Sequence, residues 1–179
     1  VLLEKNRSPQ YKAAYQKVTF YRGLELYTDG DYQEALKMFK KSIGEQKDQK
    51  FVARATFWKG ETEYVLENFS EALLSFKQFE GNAEAKTTPE HKNINYNIAY
   101  AYFKQKEYEQ AGNYFQSFIE VTKEDKIRLN DAYLRLGDSR FVTSKYWPAM
   151  DAYNKAIELK SVDADYAAFQ KAISYGFVQ

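Results

Sequence analysis

The chain has 179 residues, 44% hydrophobic and 28% charged, enough to bury a core as one domain or as a short array of units. Its 26 Lys and Arg against 25 Asp and Glu leave a net charge of +1, which gives no bulk field for nucleic acid or an acidic membrane surface. Cysteine is absent, which excludes disulfides and thiolate chemistry, and a 17% share of aromatics with only 3 Pro and 8 Gly is unlike a disordered tail.

Taken along the chain, residues 1–8 read as a lead-in, followed by predicted helices over 9–28, 31–43, 49–66, 69–80, 89–105, 108–121, 126–143, 147–160 and 163–178. Ser8-Pro9 and Thr88-Pro89 each set an N-cap residue before a proline at the first helical position, and Pro148 falls where the eighth helix begins. Gly44 and Gly81 mark helix ends. Breaks at Asp29-Gly30-Asp31, Glu67-Asn68, Lys106-Glu107 and Ser144-Lys145 divide the first eight helices into pairs. No stretch approaches the roughly 20 apolar residues that span a bilayer, so direct membrane insertion is not expected.

The pairs repeat. Gly23 to Ala35, Gly60 to Ala72, Ala99 to Ala111 and Gly137 to Ala149 each span 12 residues, and an aromatic follows each alanine by four: Phe39, Phe76, Phe115 and Tyr153. Four residues is one helical turn, so alanine and aromatic share a face. A small residue on the first helix and an alanine on the second let two helices approach, and the aromatic fills the space one turn on. Insertions collect between the pairs while their interiors keep constant length, as stacked modules do. The fold class that follows is all-α: four hairpins over about 9–44, 49–81, 89–122 and 126–160, plus one unpaired C-terminal helix over 163–179.

Gly23 with Gly30-Asp31-Tyr32-Gln33-Glu34-Ala35 and Phe39, repeated in Lys106-Glu107-Tyr108-Glu109-Gln110-Ala111, resembles the tetratricopeptide repeat family over most of the chain. The inter-repeat proline of the family is missing, and Arg22 and Lys59 replace the large residues usual before the small one. The resemblance implies a right-handed superhelical solenoid and a non-catalytic adaptor that binds a protein or peptide without a cofactor. The second copy, Ala55 to Tyr64, resembles bacterial cell-envelope members of the family, the Tol-Pal-associated coordinator and the outer-membrane assembly lipoprotein. That likeness suggests the periplasm or cell envelope, with the cytoplasm as the other choice.

In the family, side chains three before, one after and four after the small residue face a concave groove. Here those positions are Phe20, Leu24 and Tyr27; Phe57, Glu61 and Tyr64; Tyr96, Tyr100 and Phe103; and Leu134, Asp138 and Phe141. Lys17, Arg54, Asn93 and Asp131, six before it, form the implied rim. Aromatics offer contact area at little rotamer cost, which suits a peptide, and the same residues equally suit a core between helices. The lysine, asparagine and arginine that clamp chaperone carboxy-termini in this family are replaced by Phe20, Leu24, Phe57 and Tyr96. Charge running from Lys17 and Arg54 toward Glu61, Asp131 and Asp138 would orient a ligand.

Two rivals compete with the adaptor. An enzyme would need more than the lone His91 beside Glu90, and no HExxH or phosphate-binding glycine loop occurs, which leaves only carboxylate chemistry. Self-assembly would use the open repeat ends, above all the Tyr166, Phe169, Ile173 and Phe177 face of the last helix.

Overall fold

A short polar residue opens most of the helices that the spacing predicts. In the computed structural model, which describes residues 8–159 and 163–178, the Ser8 side chain accepts from the Tyr11 N–H at the start of α1 (Pro9–Thr28). Asp31 does the same for α2 (Tyr32–Glu45) and Asp48 for α3 (Gln49–Val65). Then come α4 (Phe69–Glu80), α5 (Ile94–Lys104), α6 (Tyr108–Val121), α7 (Lys126–Val142), α8 (Tyr146–Glu158) and α9 (Ala164–Gly176), with Asp125 capping α7. Among the described residues there is no strand, and no helix is long and apolar enough to cross a membrane. The expected lead-in lies outside the described residues except for Ser8, and so does 160–162 between α8 and α9.

Two local expectations need correction. Thr88 does not cap an α-helix at Pro89: its hydroxyl donates to the Ala85 carbonyl, and Pro89–Asn93 is a 3-10 segment leading into α5. Glu90, drawn inward by Arg54 and Trp58, sits in that tighter turn. Gly44 does not end α2 either, because the helix runs to Glu45 and Gln46 takes the left-handed conformation at φ 51°.

The turns inside the hairpins share one backbone device. Seven residues after each small residue the chain has positive φ: Gly30 at 83°, Glu67 at 61°, Lys106 at 63° and Ser144 at 59°. Only the first hairpin uses glycine there, and a Cβ costs roughly 1 kcal/mol or more in this region. Glu67→Gly, Lys106→Gly and Ser144→Gly are each expected to stabilise by about 0.5 kcal/mol after unfolded-state entropy is counted, and Gly30→Ala to destabilise by about 1 kcal/mol, in urea unfolding.

Two compact units divide at Ile94 and Asn95. In the first, α1 pairs with α2, α3 with α4, and α2 packs on α3. Gly23 lies under the Phe39 ring and Gly60 under Phe76, with both rings fully buried. Phe20, Ala35, Leu26 and Ala55 complete the cluster around Phe39. The buried Gln16 side chain accepts from the Asp48 N–H at 2.8 Å and donates to the Asp48 carbonyl at 3.2 Å, which holds the turn between the hairpins.

In the second unit Ala99, Ala111, Phe115, Phe118, Ala132 and Leu136 form one cluster, so α7 joins the third hairpin's core. Gly137 lies under Tyr153, and Leu134, Ala149, Ala156 and Ala167 surround that ring. Asn130, in the register of Gln16, donates to the Ala156 carbonyl at 2.8 Å. The last helix, α9, packs on α8.

Candidate functional site

Position three before the small residue is mostly core. Phe20 and Leu134 are 0% exposed and Phe57 is 5% exposed. Phe20 meets Phe39 and Phe51, while Phe57 meets Phe76 and Phe79. These three do not line an open surface, because a helix pair this close needs an apolar filler beside its second-helix ring. Tyr96 alone of the four is half-buried, and its hydroxyl reaches a carboxylate.

Position four after the small residue closes each hairpin at its turn. Tyr27 meets Tyr32, Tyr64 meets Phe69, Phe103 meets Tyr108 and Phe141 meets Tyr146, edge to face, with centroids 5.3 to 5.5 Å apart. The partners all lie nine residues after the small residue. Sequence reasoning missed these partners, although an aromatic at that fixed interval is a readable signal. Such pairs contribute about 0.5–1.5 kcal/mol beyond burial.

The remaining positions of the first unit are more open. Leu24, Glu61 and Asn93 are half-buried and Lys17 is exposed. The Lys17 ammonium lies 5.4 Å from the centre of the Phe51 ring. Arg54 is not a free rim cation: its guanidinium lies over Phe20, and its Nε donates to Glu90 Oε1 at 2.9 Å. The Trp58 indole donates to the same oxygen at 3.1 Å. Glu90, the neighbour of His91 in sequence, is therefore a buried counter-ion, and His91 is half-buried next to it.

The second unit gathers its polar candidates into a network. Asp131 accepts from the hydroxyls of both Tyr96 and Tyr100, the first at 2.8 Å. Asp138 accepts from Tyr153 at 3.0 Å and from Tyr166 at 2.9 Å. Arg135 lies between the carboxylates, with its Nη1 2.5 Å from Asp138 Oδ2 and its Nε 3.6 Å from Asp131 Oδ1. Spacings of four and three residues place all three on one face of α7. Part of the expected charge run is therefore paired locally, Arg54 with Glu90 and the single Arg135 with both aspartates. What these half-buried groups offer is a fixed pattern of aromatic faces and acceptor oxygens rather than a long-range field.

These environments raise the tyrosine pKa values. Burial first, then Glu61 and Tyr32, push Tyr27 up to about 12. Burial also leads for Tyr96, followed by Tyr100 and Asp131, for Tyr100, followed by Asp131, and for Tyr153, followed by Asp138. A folded pKa above the ordinary value of about 10 means that the unfolded chain loses its proton first. The associated stability is complete below pH 10 and falls as pH rises, for Tyr27 through the window up to about 12. Denaturation titrations should show this decline, with a shallower slope in Tyr27→Phe.

Two tetratricopeptide repeat family models match residues 21–85 and 93–125, together more than half of the chain. No curated sequence matches it. Among solved structures, a MamA crystal structure is similar with a TM-score of 0.76 at 22% identity, covering 92% of this chain and 83% of that one. MamA from Desulfovibrio magneticus gives 0.67 at 18% identity, covering 91% and 94%. The apo form of RapI gives 0.70 at 16% identity, covering 90% of this chain and 63% of its own. At these identities the likeness speaks to the fold.

Proposed function

Because the chain belongs to the tetratricopeptide repeat family, we propose that it is a non-catalytic protein–protein interaction scaffold that takes a peptide segment on the first-helix faces of its hairpins. The observation that carries this reading is the fixed cluster of Tyr96, Tyr100, Asp131, Arg135, Asp138 and Tyr166. Half-buried tyrosines held by carboxylates have lost little further entropy when a ligand arrives, so contact area converts into affinity with a small ordering cost. Leu24, half-buried beside the Phe39 cluster, gives the first unit an apolar counterpart. Binding depends on Leu24 and Tyr100 more than on Phe20, Phe57 and Leu134, whose work is packing.

A displayed-peptide selection on the wild-type chain tests this. Peptides selected on the first unit's face should lose about tenfold in affinity, near 1.4 kcal/mol, with Leu24→Ala, and those selected on the second unit's face with Tyr100→Phe, while both variants still unfold cooperatively. Peptides indifferent to both variants would contradict the reading. A second reading, self-association, is favoured by Phe169 at 62% and Tyr175 at 52% exposed on α9. A concentration-dependent dimer in light scattering, lost in Phe169→Ser, would support it.

A further inference from the structure

On a different surface from the proposed peptide face, α6, α7 and the start of α8 enclose a cleft of about 220 Å³. It lies wholly within the second unit, and its functional lining is Arg140, Lys145, Ser139, Asn113, Gln116 and Glu109. We propose that this cleft binds a phosphate-class oxyanion, either free or carried on a phosphorylated side chain.

Three independent features of the cleft support the assignment. The first is Arg140, whose half-buried guanidinium makes no ion pair among the described residues. Its Nη1 donates to the Pro148 carbonyl at 3.2 Å and its Nη2 to Gln116 Oε1 at 3.0 Å. Both acceptors are neutral, and two bonds leave three of the five guanidinium hydrogens uncommitted. Every other arginine whose contacts are described here faces a carboxylate: Arg22 meets Glu25, Arg54 Glu90, Arg128 Asp125 and Arg135 Asp138. A planar fork held by two neutral acceptors is pre-aimed for an oxyanion. Burial lowers the Arg140 pKa, with Asp151 as the opposing influence, which is the sign of a cation short of counter-charge.

The second feature is Ser139. It is 1% exposed, lines the cleft, and its Oγ has no hydrogen-bond partner. A buried hydroxyl left without a partner costs about 1–3 kcal/mol, and an arriving acceptor oxygen relieves it. The third is Lys145 at the cleft's edge, whose ammonium is 2.5 Å from Glu109 in a pair about half exposed on both sides. Exposed pairs are worth little, so an oxyanion exchanges with Glu109 as the lysine's partner at small cost. Gly112 keeps one wall bare of side chain. The volume is small against the 300–1,000 Å³ typical of drug-sized ligands, which fits one compact anionic group. Donors arriving from α6, α7 and the turn before α8 suit a tetrahedral anion better than a planar carboxylate.

The test is an NMR titration of the whole chain, following the Arg140 Nε–H and the Gly112 amide. Inorganic phosphate, O-phosphoserine and serine are added at constant ionic strength. Saturable shifts with phosphate and phosphoserine, and none with serine, are expected. Arg140→Gln should weaken binding by about tenfold or more. Should that variant fail to fold, Lys145→Gln, at an exposed position, replaces it and should weaken binding several-fold. Tighter binding of phosphoserine than of phosphate assigns the site to a phosphorylated side chain, and equal binding assigns it to the free anion. Shifts that never saturate, that also appear with serine, or that persist at wild-type affinity in the folded variant would overturn the proposal.

Discussion

Phe76→Ala is expected to destabilise the chain by about 3–5 kcal/mol, read from urea unfolding. The ring is fully buried, meets Phe57 at 5.7 Å between centroids, and lies directly over Gly60. Its removal leaves a void that the two helix backbones cannot close. A companion substitution isolates the contact. A Cβ at Gly60 would sit 2.7 Å from Phe76 Cε1, so Gly60→Ala alone should cost about 1–3 kcal/mol by overpacking. In the Phe76→Ala background the ring is gone and only Ser75 Cβ, 3.2 Å from the added Cβ, still crowds it, so the cost of the same change should fall well below its value in the wild type. A sharp fall in cost between the two backgrounds is the signature of a ring packed on a bare backbone; equal costs in both would show that the two positions do not touch.

Glu90→Ala should cost about 3 kcal/mol. The carboxylate is 6% exposed and Arg54 is 20% exposed at the side chain, so its loss strands a desolvated guanidinium and leaves the Trp58 indole without its acceptor. Replacing both charges tells a different story. An Arg54→Met, Glu90→Leu double variant should recover the part of the loss that comes from the lone guanidinium, because an apolar pair of similar volume needs no desolvation, and should keep only the part from the Trp58 indole left without its acceptor. A double variant as unstable as Glu90→Ala would mean that the ion pair itself, rather than the avoidance of a lone charge, holds the segment before α5 in place.

The repeat spacing made the hairpins legible because it encodes a contact: Gly23 with Phe39 and Gly137 with Tyr153 meet as the interval from small residue to alanine to aromatic implied. The helix limits followed from the caps, since Ser8, Asp31, Asp48 and Asp125 use their side chains locally. Depth was harder to read. Phe20 and Tyr96 hold the same register, yet one is sealed beneath Arg54 and the other turns its hydroxyl to Asp131, and the difference lies in the next hairpin. Glu90 reads locally as an exposed acid in a first helical turn; its burial depends on Arg54, 36 residues earlier. The backbone device at Glu67, Lys106 and Ser144 stayed hidden because only Gly30 announces a positive φ by residue type.

The central claim is that one packing unit, a second-helix ring seated on a small first-helix residue, recurs in all four hairpins. Native-state amide hydrogen exchange on the whole chain tests it most directly. Slow exchange is expected in four separate places, around Phe39 with Gly23, Phe76 with Gly60, Phe115 with Ala99 and Tyr153 with Gly137, with fast exchange at each intervening turn. Protection confined to one of these pairs, with the others exchanging like open chain, would contradict it.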